Sequence, residues 1–155
     1  MFSFNLSIDN APYAEGDKKG VDELTGSLIG NGSMKIAKDA FNEEVDYLGA
    51  NISFGSQSAR LSSLSKYFPR VLELMADAAQ NPIFTQEEFD KEANLLKDGI
   101  KSGENSVQNI ANRVQNLLAY GKNHPYGEYT SIATVDNVTL ADVQTFYATY
   151  FKPNN

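Results

Sequence analysis

Residues 41–64 read FNEEVDYLGANISFGSQSARLSSL. Phe41, Val45 and Leu48 recur at i, i+4 and i+7, the spacing of one helix face, and Gly49 sits where a left-handed residue closes a helix. Asn51 to Phe54 and Ala59 to Leu64 then read as two strands around the polar turn GSQS, a hairpin, which is antiparallel by construction. Before this stretch, Phe2, Phe4, Leu6 and Ile8 alternate with Ser3, Asn5, Ser7 and Asp9, the period of a strand with one buried face. A polar loop, NAPYAEGDKKG at 10–20, leads to Val21, Leu24, Leu28 and Ile29 at helical spacing, ended by GNGS at 30–33.

Beyond the hairpin the pattern is helical. Tyr67, Val71, Leu74, Met75 and Ala78 form one stripe that stops at Asn81, because the residue before Pro82 is pushed out of the α region. Thr85 to Glu88 matches a capping box, and Phe89, Ala93, Leu96 and Ile100 continue its apolar face. A further stripe, Val107, Ile110, Val114, Leu117 and Leu118, runs to Gly121. The last, opened by Thr139 with Asp142 three residues on, carries Leu140, Val143, Phe146, Tyr147 and Tyr150 to Pro153. Strands and helices segregate instead of alternating, so the expected class is α+β, an antiparallel or mixed sheet packed against several helices. Three strands are few for so many helices. With no repeat or linker in view, residues 1–155 are expected to be a single domain, one cut from something longer: a strand at full strength begins at residue 2, and KPNN directly follows a helix.

Composition narrows the chemistry. The 155 residues hold 13 Lys plus Arg against 20 Asp plus Glu, one His and no Cys, for a formal charge of -7. Nucleic acid is not an expected partner, since displacing its counterions takes clustered Lys and Arg. No apolar run approaches the roughly 18 residues of a membrane span, and the start lacks a basic signal-peptide region, so a soluble chain with no membrane partner is expected and the compartment stays open. Without Cys there are no disulfides, thiolate metal sites or Cys nucleophile. His124 alone cannot supply a multi-His zinc site.

The order of elements and five local strings resemble the insulinase/pitrilysin family of zinc metallopeptidases. The strings are GVDELTGSLIGNGS at 20–33, FNEEVDYLGANIS at 41–53, LELMADAAQNPIFTQEEFDKE at 72–92, NHPYGEYTS at 123–131 and TLADVQTFYATYFKPNN at 139–155. Together they cover essentially the whole chain. The resemblance implies further strands on both sides of this segment, so part of the sheet is expected to be missing. It also implies a zinc motif, HxxEH, in which two His on one helix face bind the metal and the Glu polarises water.

At that motif the chain departs from the family. Matching Gly20 and Leu28 to the family's flanks places Glu23 and Ser27 on the two His positions and Gly26 on the general base. Lys91 and Glu92 match the pair that precedes the family's third ligand, whose position falls on Gly99. With Glu23, Gly26, Ser27 and Gly99 there, no catalytic residue, no metal ligand set and no cofactor is expected. The resemblance then implies a noncatalytic copy of the peptidase domain, a wall of a peptide chamber whose partners are peptide substrates and an HxxEH-bearing catalytic domain or subunit. HPYG places it as the leading domain of a noncatalytic half. Two alternatives stand beside it: a zinc endopeptidase with unrecognised ligands, such as Glu23 with His124, and a plain structural or interaction domain. Unpaired sheet edges add an expectation of self-association.

Other residues read more plainly. His124, ahead of Pro125 and Gly127, is expected to be a turn residue bonded to the backbone. Asp22 and Glu23 read as first-turn acids diverging on a helix. Glu92 reads as a solvated or capping carboxylate, while Glu43, Glu44, Asp46, Glu87, Glu88 and Asp90 read as exposed helix faces. GNGS reads as a helix-closing loop, the Tyr residues as core or interface packing, and the triplets at Asn5, Asn31, Asn51 and Asn137 as chance matches to a glycosylation signal.

Overall fold

The computed structural model describes residues 1–152; the stop expected at Pro153 and the closing Pro-Asn-Asn lie outside the described residues. Element order is β1 (Phe2–Ser7), α1 (Val21–Ile29), α2 (Lys38–Tyr47), β2 (Asn51–Gly55), β3 (Ser58–Ser63), α3 (Phe68–Gln80), α4 (Gln86–Gly103), α5 (Val107–Tyr120), α6 (Ile132–Asp136) and α7 (Leu140–Tyr150). The three strands form one antiparallel sheet in the order β1-β3-β2. The fold is α+β, and of the two sheet types expected, the antiparallel one is present.

Local chemistry sets most boundaries. Gly49 closes α2 at φ 58°, a left-handed backbone that costs a residue without Cβ nothing. The hairpin turns on Ser56 and Gln57, since Gly55 pairs with Ser58. Thr139 and Asp142 form a complete capping box at α7. At α4 only half of one forms: Thr85 accepts from the Glu88 N–H at 3.3 Å, but the Glu88 carboxylate turns instead to Lys38. Helix α6 escaped the periodicity reading because five residues carry no stripe; its signal was the cap pair Ser131 and Thr134.

Two apolar clusters hold the chain. In the first, α1, α4, α6 and α7 bury Leu24, Leu28, Phe89, Val135, Val143 and Phe146; in the second, α2, α3 and β3 bury Phe41, Val45, Leu61, Val71, Leu74 and Met75. Ion pairs tie the helices together. Arg70 of α3 reaches Glu44 of α2 at 2.6 Å, and Lys38 of α2 meets Glu88 of α4 at 2.5 Å. Glu44 and Glu88 are therefore inter-helix partners and not merely exposed face residues.

Two expected burials do not occur. Phe2, Phe4 and Leu6 pair directly with Ser63, Leu61 and Ala59 and so share the core face of the sheet. Yet β1 is an edge strand: Leu6 is partly buried against the second cluster, while at the strand's start Phe2 meets only the rim of α3, with Phe68 at 4.6 Å between ring centroids. Phe2 remains 52% exposed, and only Ile8, past the strand's end, is buried. The α5 stripe is the second case: its helix forms as expected, but Val107 and Leu118 are each 81% exposed, and Ile110, Val114 and Leu117 are exposed too. Periodicity reports an apolar face, not what covers it.

Candidate functional site

Helix α1 begins where the 10–20 loop is fastened to it. Glu15, whose side chain is only 2% exposed, accepts the backbone N–H of Gly20 at 3.0 Å and of Asp22 at 3.1 Å, and it pairs with Lys19. A buried carboxylate at a helix N-terminus satisfies donors the helix cannot, and the macrodipole favours its charge. The Glu128 carboxylate, just past HPYG, accepts the N–H of Glu15 at 2.9 Å and of Gly16 at 3.0 Å. The loop, α1 and the HPYGE segment are thereby one hydrogen-bonded unit. Neither Glu15 nor Glu128 stood out in the sequence, because a lone Glu in a polar loop carries no periodicity.

On α1 the structure brings three of the four motif positions together. Asp22, Glu23, Gly26 and Ser27 face a cavity of about 640 Å³ closed on the far side by Phe54, Gly55 and Ser56 of the hairpin, with Ser7 and Ile8 at its end. Asp22 and Glu23 diverge as expected. Asp22 accepts from the Tyr13 hydroxyl at 3.3 Å, and Glu23 accepts from the Thr130 hydroxyl at 2.7 Å. Burial, with the negative charges of Asp22 and Glu15, pushes the Tyr13 hydroxyl far above its ordinary pKa, so it stays a donor.

Gly26 is where the helix meets the hairpin. A Cβ there would stand 2.9 Å from the Ser56 backbone nitrogen and 3.1 Å from Gly55 Cα. Those are backbone atoms, which yield only if the hairpin shifts. Gly99, the fourth position, lies apart on α4, in a second cavity of about 560 Å³ with Arg113, Tyr129 and Thr130. A Cβ at Gly99 would meet nothing within 4 Å.

These residues do not fit a zinc ion. Ser27 is a poor zinc donor, Gly26 and Gly99 have no donor, and the Glu23 carboxylate is already engaged by Thr130. Among the described residues, no three His, Asp or Glu side chains are grouped to hold a metal. His124 is occupied as a turn residue: its Nδ1 accepts the Tyr126 N–H at 3.2 Å, its carbonyl accepts the Gly127 N–H at 2.8 Å, and its ring stacks on Tyr120. In the GNGS loop, Ser33 donates to Asp77 of α3 and accepts the N–H groups of Lys35 at 3.2 Å and Ile36 at 3.1 Å, a structural junction.

A strand, a helix carrying the motif positions and a hairpin closing over them define a peptidase-like α+β domain. The family model for Insulinase (Peptidase family M16) matches residues 6–128, and the chain belongs to that family. Over 87 residues it is 28% identical to the mouse (Mus musculus) mitochondrial cytochrome b-c1 complex subunit 1, a stretch of 54% of this chain and 18% of that protein. Among solved structures, 93% of the chain superposes on 37% of the peptidase M16 inactive domain from Pseudomonas fluorescens, with a TM-score of 0.80 and 22% identity. A protease from Helicobacter pylori is matched over 99% of this chain and 38% of its own, with a TM-score of 0.83 and 20% identity. The two structures share the fold. The chain spans well under half the length of each of these relatives.

Proposed function

We propose that this chain is a noncatalytic part of an insulinase-like peptidase assembly, one that walls a peptide chamber, contacts substrate backbone and docks an HxxEH-bearing catalytic domain or subunit. The observation that carries the reading is the set of residues at the four motif positions, Glu23, Gly26, Ser27 and Gly99, together with the approach of the Ser56 backbone to Gly26. No ligand set for zinc and no room for a general base at position 26 remain, while the family's frame is kept. Residues 1–155 would be one domain of a larger protein or assembly.

The pure chain should cleave no unfolded peptide, and an HxxEH-bearing peptidase should be retained on it in a pull-down. Chelator-sensitive cleavage by the chain alone would return the reading to an active enzyme. A second reading, an interaction domain without any peptide role, is supported by the uncovered α5 stripe. Retention of partners combined with no peptide binding would select it.

A further inference from the structure

The geometry points to the cavity beside Gly99 as a binding site for a carboxylate of a bound peptide, either its C-terminal carboxylate or the side chain of an Asp or Glu. This deepens the proposed peptide-contacting role and rests on it. The cavity lies between the end of α4, one side of α5 and residues 129–133. Its volume, about 560 Å³, falls within the range of small-ligand pockets, about 300–1,000 Å³. Gly99 leaves the α4 wall open, since a Cβ there would meet nothing within 4 Å.

Arg113 of α5 is the cation on that lining. Its guanidinium carbon stands 3.8 Å from the centre of the Tyr129 ring, and it enters no ion pair among the described residues. Stacking on a ring holds a guanidinium in place without consuming its N–H groups, so the fork keeps the donors that match the two oxygens of a carboxylate. Asn112, the next residue on the lining, turns its side-chain oxygen to Gln108 at 3.0 Å, which leaves its amide N–H groups as further donors. The hydroxyls nearby are already engaged, Thr130 with Glu23 and Ser131 with Thr134.

The distribution of charge along the chain is an independent observation. With a formal charge of -7 the protein as a whole repels a carboxylate. Between Glu104 and Glu128, however, there is no Asp or Glu, and the charged residues of that stretch are Arg113 and Lys122. Residues 129–135 add no acid either. Glu104, at the end of α4, is the one carboxylate on the cavity lining, and it forms no ion pair with Arg113. The chain thus leaves a stacked guanidinium facing a cavity without supplying its counter-charge, which a peptide carboxylate would bring.

The test is fluorescence anisotropy at low ionic strength with two pairs of N-terminally labelled pentapeptides: Ala-Ala-Ala-Ala-Ala with a free C-terminus against its amide, and Ala-Ala-Glu-Ala-Ala-amide against its Gln counterpart. Arg113 and Tyr129 are both exposed, so the gain lies between that of a surface ion pair and that of a desolvated charge-assisted bond. In at least one pair the carboxylate form should bind about fivefold tighter. A preference in the first pair assigns the site to the peptide terminus, and one in the second to an acidic side chain. Arg113→Gln should abolish the preference. Gly99→Leu puts a better helix former where there is space and fills the cavity, so it should lower the preference without lowering the melting temperature. Arg60→Gln on β3 removes the same charge elsewhere and should leave the preference intact. Equal binding within both pairs overturns the site and leaves the chamber reading standing. Binding of no peptide overturns both. A preference that survives Arg113→Gln, or that falls as far in Arg60→Gln, comes from elsewhere or from net charge alone and overturns the site.

Discussion

A Cβ at Gly26 would sit 2.9 Å from the backbone nitrogen of Ser56, so helix α1 and the hairpin tip are in contact at the position that the family resemblance matches to a general base. The contact is made by backbone on the hairpin side, and a side chain at position 26 cannot be accommodated by rotating a neighbour. Gly30, one turn on, is close to the hairpin too, but there a Cβ would meet the Phe54 side-chain ring at 3.0 Å.

Gly26→Ala should therefore destabilise the chain although alanine is the better helix former, by the roughly 1–3 kcal/mol typical of overpacking, and Gly26→Glu should cost more. Urea denaturation measures both. Wild-type stability in Gly26→Glu would mean that the hairpin yields freely and that the position is open to a catalytic side chain.

Glu15 joins the loop to the start of α1. Replacing it with Ala removes the carboxylate oxygen that accepts two backbone N–H groups and leaves Lys19 without its partner, at a cost of about 2 kcal/mol or more, while Glu15→Gln keeps an amide oxygen as acceptor and should fall between. Thermal unfolding ranks the three proteins. If Ala and wild type melt together, the loop is not fastened through this residue.

Stability should fall in acid. The Glu44 carboxyl is held below its ordinary value by Arg70, Asp77 by Ser33 and then Lys35 and Asn81, and Glu88 by Lys38. For Asp142 burial works in the opposite direction and is outweighed by Lys18 and Thr139. A carboxylate with a lowered folded pKa binds its proton more readily in the unfolded chain. Its contribution is complete above the ordinary values of 3.8 for Asp and 4.5 for Glu, and it disappears as pH falls through the lower folded values. Unfolding midpoints in urea should thus hold steady from pH 7 to about 5 and decline below about 4.5. Glu88→Gln should flatten part of that decline. A midpoint rising as pH drops from 5 to 3 contradicts the assignment.

Much of this architecture was legible from local chemistry. Two-residue alternation marked β1, Gly49 and the GSQS turn marked the helix-to-hairpin passage, and Thr139 with Asp142 marked α7. What the sequence did not reveal is long-range. Phe2 and Phe4 alternate like core residues because they do share the core face, and only the sheet order shows that β1 lies at an edge. Likewise, Val107 and Leu118 make a good stripe on a helix that leaves them exposed among the described residues. At the site, the family resemblance picked out Glu23, Gly26, Ser27 and Gly99 as the positions to look at, but not the hairpin backbone at Gly26 or the bond from Thr130 to Glu23, which joins residues 107 apart in the chain.

The uncovered α5 stripe and the β1 edge predict concentration-dependent self-association of the isolated chain. Light scattering should show mass rising with concentration, and Leu118→Asn, at an 81% exposed position, should lower it without changing the melting temperature. A strictly monomeric mass at high concentration would contradict this.

The central claim is that a peptidase frame has been kept without its metal chemistry. Calorimetric titration of zinc into the purified chain, after its metal content has been measured, tests it most directly. The account predicts no stoichiometric binding. One zinc per chain held at submicromolar affinity, and lost in Glu23→Gln, would contradict it.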